Sequence, residues 1–515
     1  MNAPDNDMTI SETRKPSRAL FDRWTALTLV GVGVFMFWGA GHYTVFDDEA
    51  LSGRLYALPM GEMLRALWRG VDPDPPLYYI LENLWVHTFG IGPIALRSLS
   101  IVFFLAALVV MRAAGEAWFD RRTGIATLVI CGFHPAHLFF GFAARWYSLM
   151  FLMVAVLLWA TARVWTEEGG HPKRILAWAA AAAGACYTNY FGPIVVGLLW
   201  LAVLWRARRT PAVVRRWLIA AALATALCAP WFHPFWQQLH GFQRPGVAGA
   251  SFLATAARTG MALLAGNLAS PEAWWVWAPL LLHLVATAAL TVRSSDRARL
   301  SAYVALGCFT AGVAGRTMID KYVMTFSGVA CLWAAAVLVQ GWFGSPGRPA
   351  RRLAAMMAVG LAAGWIGCGI NLVTGSHWSS LRWHDPFERA IRDLADDPTA
   401  PPPEAWVMTH PSARYYYELL LADRTETNGT AGTPRSVLDA MQTGRLRRLV
   451  TFETAGFARL PDWAALHAAI DAAYDLEGEP RRYLEDPNAA WKDRIDPAVR
   501  HPRWRIVVRH WRLNK

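Results

Sequence analysis

Long apolar runs, almost free of charge, recur through residues 1–375 and are separated by short clusters of Arg and Lys. A bilayer-crossing helix needs roughly 20 mainly apolar residues. Runs of that kind lie near 24–44, 94–112, 122–140, 147–164, 174–190, 191–207, 215–232, 274–292, 298–315, 322–343 and 353–374. The pattern predicts about eleven spans. The pair near 174–207 has only Tyr190, Phe191 and Gly192 to turn on, with Pro193 next. Residues 76–91 are also apolar and read as a helix lying along the membrane surface.

Past residue 375 the pattern becomes that of a soluble chain. The prolines between Pro398 and Pro403 break any helix there. Trp406–Thr409, Leu449–Phe452 and Trp504–Val508 read as strands, and Asp462–Tyr474 as a helix with Leu466 and Ile470 on one face. The expected fold class is therefore an α-helical polytopic membrane protein, 1–375, followed by a small soluble α/β domain, 376–515.

Charge fixes an orientation. Alternate loops are basic: Arg121 and Arg122; Lys173 and Arg174; Arg206, Arg208, Arg209, Arg215 and Arg216; Arg293, Arg297 and Arg299; Arg348, Arg351 and Arg352. By the positive-inside rule these loops and the N-terminus are cytoplasmic. An odd number of spans then puts the tail on the other side, the periplasm of a bacterial inner membrane. Two outer segments, 45–93 and 233–273, exceed mere connectors, and loops of that length carry function.

Composition agrees: of 515 residues 55% are hydrophobic and 17% charged, more apolar than a soluble protein of this size needs. The net charge of +12 sits in loop clusters, not in a basic domain, which argues against a nucleic-acid partner. The bilayer is the expected partner. All six cysteines fall inside apolar runs, without metal-ligand spacing or a disulfide framework. Many Trp sit near span ends, as an interfacial belt requires. The first run follows Arg14, Lys15, Arg18 and Arg23 but is read as an uncleaved span.

Candidate chemistry gathers in the outer segments. Asp47-Asp48-Glu49 follows the first span directly. It is either a solvated loop mouth or the source of a general base, since transfer to a hydroxyl or amine needs a carboxylate to take the proton. Asp48 is the first choice, with Asp47 and Glu49 as the other candidates. Asp72-Pro73-Asp74-Pro75-Pro76-Leu77-Tyr78-Tyr79 is a stiff, extended turn. It is either a rigid connector into the helix that follows or a wall of the site that places Asp74 and Tyr78 or Tyr79 against a ligand, the latter being favoured. Ala144-Arg145-Trp146-Tyr147-Ser148-Leu149 opens a span. Arg145 there either snorkels to the interface or binds a phosphate. His134 and His137 flank Pro135-Ala136 and read as packing rather than metal ligands. His233, Gln237, Gln238 and His240 open the second long loop, either as a wet polar face or as contacts to sugar hydroxyls.

These motifs resemble those of the GT-C glycosyltransferases related to protein mannosyltransferases and aminoarabinose transferases. The similar stretches are Asp48-Glu49, Asp74-Pro75-Pro76-Leu77-Tyr78-Tyr79, Arg97-Ser98-Leu99-Ser100, Arg145-Trp146-Tyr147-Ser148-Leu149, Tyr187-Thr188-Asn189-Tyr190-Phe191-Gly192 and Lys321-Tyr322, in order over residues 25–340. The resemblance implies a GT-C fold, a polyprenyl-phosphate sugar as donor, and a lipid, glycan or protein acceptor. It also implies an inverting displacement with Asp48 as base. Arg145 and Lys321 would hold the carrier phosphate, helped by Arg97 and Arg316, with Asp74, Tyr78, Tyr79, Tyr147 and Tyr322 lining the substrate site. Asp74, Ala143 and Asn189 replace a His, an acid and a His of that pattern. Asp72 and Asp74 are candidates to compensate. No cofactor is assigned, and a divalent metal stays open. The rival readings are a flippase for lipid-linked sugar, which should show charged residues in mid-span, and a non-catalytic assembly partner.

Overall fold

The computed structural model describes residues 22–166, 172–208, 210–241, 252–266, 268–270, 272–314, 320–344 and 347–374. In the tail it describes 387–395, 405–408, 415–417, 419, 430–432, 434–442, 448–454, 461–476, 479–485 and 504–514. The membrane part is helical: α1 (Arg23–His42), α2 (Asp47–Tyr56), α3 (Met60–Trp68), α4 (Pro76–Phe89), α5 (Pro93–Trp118), α6 (Arg121–Phe133) and α7 (Pro135–Phe140) come first. Next are α8 (Tyr147–Thr166), α9 (Pro172–Thr188), α10 (Gly192–Ala207), α11 (Pro211–Cys228), α12 (Phe232–Gly241) and α13 (Phe252–Ala265). The last are α14 (Trp274–Val292), α15 (Asp296–Ala314), α16 (Ser327–Val339) and α17 (Arg348–Thr374).

A helix stands at each of the eleven apolar stretches. Among the described residues, six helices are long and apolar enough by length and composition to cross a membrane. Tyr147–Arg163 and Gly192–Trp205 are shorter apolar helices. This is a multi-pass membrane protein. Several helices open on Pro, at Pro76, Pro93, Pro135 and Pro211, where the missing N–H is not needed.

Two local features shape the bundle near the chemistry. The stretch predicted as one span at 122–140 is broken at Pro135, where the His134 side chain accepts from the Ala136 amide at 3.2 Å. After α7 the chain unwinds until α8, and this bend carries Ala144 and Arg145 towards the loop after α1. Gly141 makes the bend feasible, because a Cβ there would lie 2.3 Å from the His137 carbonyl oxygen.

Among the described residues the tail builds a six-stranded mixed sheet from β1 (Ala405–Met408), β2 (Thr430–Gly432), β3 (Arg448–Thr454), β4 (Tyr474–Leu476), β5 (Arg481–Glu485) and β6 (Trp504–Leu513). β1 runs parallel to β2 and β3, and β6 runs antiparallel to β3, β4 and β5. The helices Pro434–Gln442 and Pro461–Ala473 join it, with Val437, Leu449, Leu466, Ile470, Tyr474 and Trp511 as their shared core. Other tail residues, including Phe387, Ile391, Tyr415 and Tyr416, belong to the core of the membrane part.

α17 packs on α14 through small residues, as close helix pairs in a bilayer do. A Cβ at Gly360 would lie 2.5 Å from the Pro279 carbonyl oxygen, and one at Gly364 2.6 Å from Leu280. Gly360→Val should therefore overpack this seam and cost about 1–3 kcal/mol. The expected result is a lower melting temperature in detergent; an unchanged melt would mean the two helices do not approach this closely.

Candidate active site

The acidic triplet begins α2, and the helix separates its members. Successive helical side chains point about 100° apart, so residues four apart share a face and neighbours do not. Glu49 turns inward towards α1 and α5, and is completely buried. It forms a two-pronged ion pair with Arg97 of α5, with Oε1 2.9 Å from Nε and Oε2 2.6 Å from Nη2. Its oxygens also accept from the Phe46 amide (3.2 Å) and the Ala144 amide (2.7 Å). Arg97 spends its other donors on the carbonyls of Ala40 (3.0 Å), Tyr43 (2.6 Å) and Thr44 (2.7 Å), closing the end of α1. The Glu49 carboxylate is thus committed to holding the loop. The side chain of Asp47 lies outside the described residues.

Asp48 faces the open side, its side chain 35% exposed, and pairs with Lys321. Lys321 sits in a 3₁₀ turn, Asp320–Thr325, just before α16. The next residue, Tyr322, is buried, stacked on Trp146 (ring centroids 5.6 Å apart, planes at 19°) and against Phe191 at 4.4 Å. Arg316 lies outside the described residues.

Ser52, one turn beyond Asp48, leads into a second cluster. Arg145 is buried there between two acids, Nη1 2.7 Å from Asp72 Oδ2 and Nη2 2.5 Å from Asp74 Oδ2. Nη1 also donates to Tyr79 Oη at 3.0 Å and to Ser52 Oγ. Asp72 accepts from Ser52 Oγ at 2.9 Å and from the Tyr79 hydroxyl. Nε of Arg145 is buried and has no hydrogen-bond partner among the described residues. Asp72 and Asp74 reach one guanidinium because Pro73 between them and Pro75 after them hold the turn extended.

Tyr78 and Tyr79 part company as adjacent residues of α4 must. Tyr79 joins Arg145, whereas Tyr78 turns to α5, donating to Glu82 Oε2 at 2.9 Å with Ser100 Oγ 2.8 Å away. Tyr147 is buried in an aromatic cluster with Phe140 and Trp146. So Asp48, Asp74, Tyr79, Arg145 and Lys321 gather at one end of the bundle, while Glu49 and Arg97 form the frame behind them. Tyr78 and Tyr147 point elsewhere. Sequence reasoning missed Ser52; its signal was the four-residue spacing from Asp48.

The second long loop contributes a wall. Gln238 of α12 is buried, donates to the Leu67 carbonyl at 3.1 Å and accepts from the Tyr190 hydroxyl at 2.6 Å. Trp231 Nε1 donates to Tyr190 Oη at 3.1 Å. Asn189 Oδ1 accepts from the Phe191 amide at 2.9 Å and so builds the α9–α10 turn.

Electrostatics differ across the pair of acids. Burial works against charge at Asp72, but Arg145 with its hydrogen bonds holds that carboxyl below the ordinary carboxylate range. Burial pushes Asp74 up to about 6, with the Asp72 charge adding to the rise against the pull of Arg145. Elsewhere Cys131, His137 and Cys331 lie close enough to form a buried metal-ligand group. His137 already uses both ring nitrogens, on the Cys131 carbonyl and on Ser327 Oγ, each at 2.7 Å, which suits packing better than ligation.

The arrangement of helices is that of known membrane glycosyltransferases. ArnT from Cupriavidus metallidurans bound to undecaprenyl phosphate is 12% identical over 95% of this chain and 98% of its own, with a TM-score of 0.56. The apo form of that protein gives 14% identity, 95% and 97% coverage, and a TM-score of 0.57. The arabinofuranosyltransferase AftD from Mycobacteria is 15% identical over 96% of this chain but only 40% of its own length, with a TM-score of 0.52. The fold is therefore the GT-C glycosyltransferase fold. No family model and no curated protein matches the sequence.

Because the folded-state pKa of Asp74 stands above the ordinary 3.8, its ionisation opposes folding. The stability present below pH 3.8 is lost as pH rises to about 6. Relative to Asp74→Asn, the wild type should lose stability across that window, as read by unfolding both proteins at each pH. A pH-independent difference would contradict the assigned surroundings of Asp74.

Proposed function

We propose that the chain is a glycosyltransferase that moves a sugar from a polyprenyl-phosphate carrier to a cell-envelope acceptor. The observation that carries this reading is the adjacency of a part-exposed carboxylate, Asp48, and a cation, Lys321, beside the buried Arg145–Asp72–Asp74 cluster. The shared fold supports it, since ArnT with that fold binds undecaprenyl phosphate. In the orientation expected from the basic loops, the site and the tail face the periplasm and the N-terminus the cytoplasm.

The chemistry follows from the charges. The carrier phosphate competes with Asp48 for the Lys321 ammonium, and its arrival frees the Asp48 carboxylate. That carboxylate takes the proton from the acceptor hydroxyl or amine as the acceptor attacks the anomeric carbon. The new bond to carbon forms on one face while the carbon–oxygen bond to phosphate breaks on the other, so the centre inverts. Polyprenyl phosphate leaves with the bonding electrons, and Lys321 stabilises the charge that develops. Arg145 fixes Asp72 and Asp74 around the sugar. Tyr79, Tyr190 and Tyr322 line the site. The Asp–Lys and Asp–Arg pairing at one end of the bundle favours transfer over a flippase, which would need charge along the spans.

A positioned general base contributes about 10²–10⁴-fold. Asp48→Asn should accordingly lower transfer by at least about 100-fold, assayed in proteoliposomes with a panel of synthetic polyprenyl-phosphate hexoses and pentoses. Asp48→Asn turning over like wild type would exclude this base. Wild-type protein inert with every donor would favour the assembly-partner reading.

A further inference from the structure

The segment between α1 and α2, residues 43–46, sets where Asp48 stands, and its backbone polar groups are held by Glu49 nearby and by Arg97 and Tyr416 from distant parts of the chain. Arg97 takes the Tyr43 and Thr44 carbonyls, and Glu49 takes the Phe46 amide. The Val45 amide goes to the tail: it donates to the hydroxyl of Tyr416 at 2.9 Å, in a fully buried contact. Tyr416 is 1% exposed, and its neighbour Tyr415 is 2% exposed. The Tyr415 ring lies against Gly53 of α2, and its hydroxyl donates to the Ile91 carbonyl at 2.5 Å. The two rings meet edge to face at 5.2 Å. A buried amide without an acceptor is costly, so the loop keeps this conformation only while the tail is docked.

We infer that Tyr416 is a positioning residue, through which the C-terminal domain holds the α1–α2 segment and thereby aims Asp48. This rests on the transferase reading for its kinetic consequence, but not for the docking itself. Tyr416→Phe keeps the ring and removes only the acceptor. Hydrogen exchange across residues 43–49 should then accelerate by about tenfold or more, because the Val45 amide loses its partner. Turnover should fall by a similar factor of about ten with the donor KM within about twofold, since the base is misplaced while the phosphate cation is untouched. Tyr415→Phe, which frees only the Ile91 carbonyl, should leave exchange across 43–49 as in wild type.

Unchanged exchange in Tyr416→Phe would overturn the inference. So would equal acceleration in both variants, which would mean general loosening of the tail. Faster exchange with unaltered turnover would refute the role in aiming Asp48. If the wild type transfers no sugar from any donor, the transferase reading fails, and the exchange comparison still decides whether Tyr416 holds the segment.

Discussion

The buried ion pair between Glu49 and Arg97 is the interaction on which the rest of the site depends. Neither side chain has any solvent exposure, so each charge is tolerable only because the other is present. Removing one partner of such a pair costs about 3–5 kcal/mol, because the remaining charge is left uncompensated. The same two residues also satisfy the end of α1, the first amide of the α2 cap and the Ala144 amide. One pair thus joins α1, α2, α5 and the bend before α8. Arg145 follows Ala144 directly, so its position opposite Asp72 and Asp74 is inherited from that junction.

The chain handles its acids in three ways. Glu49 is neutralised completely, Asp72 and Asp74 share a single guanidinium, and the part-exposed Asp48 pairs with Lys321. The gradient runs from frame to open side, and in the proposed reading it separates structure from chemistry. In that reading, rigid and fully satisfied groups place the part-exposed Asp48 carboxylate.

Much of this was legible in the sequence. The apolar runs marked the helices, because burying a backbone in lipid leaves few alternatives to a helix. Composition alone could not say which runs cross, and six of the described helices meet that standard by length and composition. The tail strands at 405–408 and 448–454 and the helix at 461–473 were readable from alternation and face. The break inside 122–140 had a sequence signal in Pro135, whereas the bend after it did not, because it depends on how Gly141 meets the His137 carbonyl. The acidic triplet drew attention as a unit; only the helical turn of α2 separates the buried Glu49 from the part-exposed Asp48. The contacts of Tyr415 and Tyr416 had no local signal, since their partners Ile91 and Val45 are more than 300 positions away.

A structure of the protein with a polyprenyl-phosphate donor analogue bound in a lipid nanodisc tests the central claim most directly. The account predicts phosphate density against the Lys321 ammonium, with the Asp48 carboxylate released and facing the anomeric carbon from the opposite side. Phosphate bound at the other membrane face, or with the Asp48–Lys321 pair intact and remote from the sugar, would contradict it.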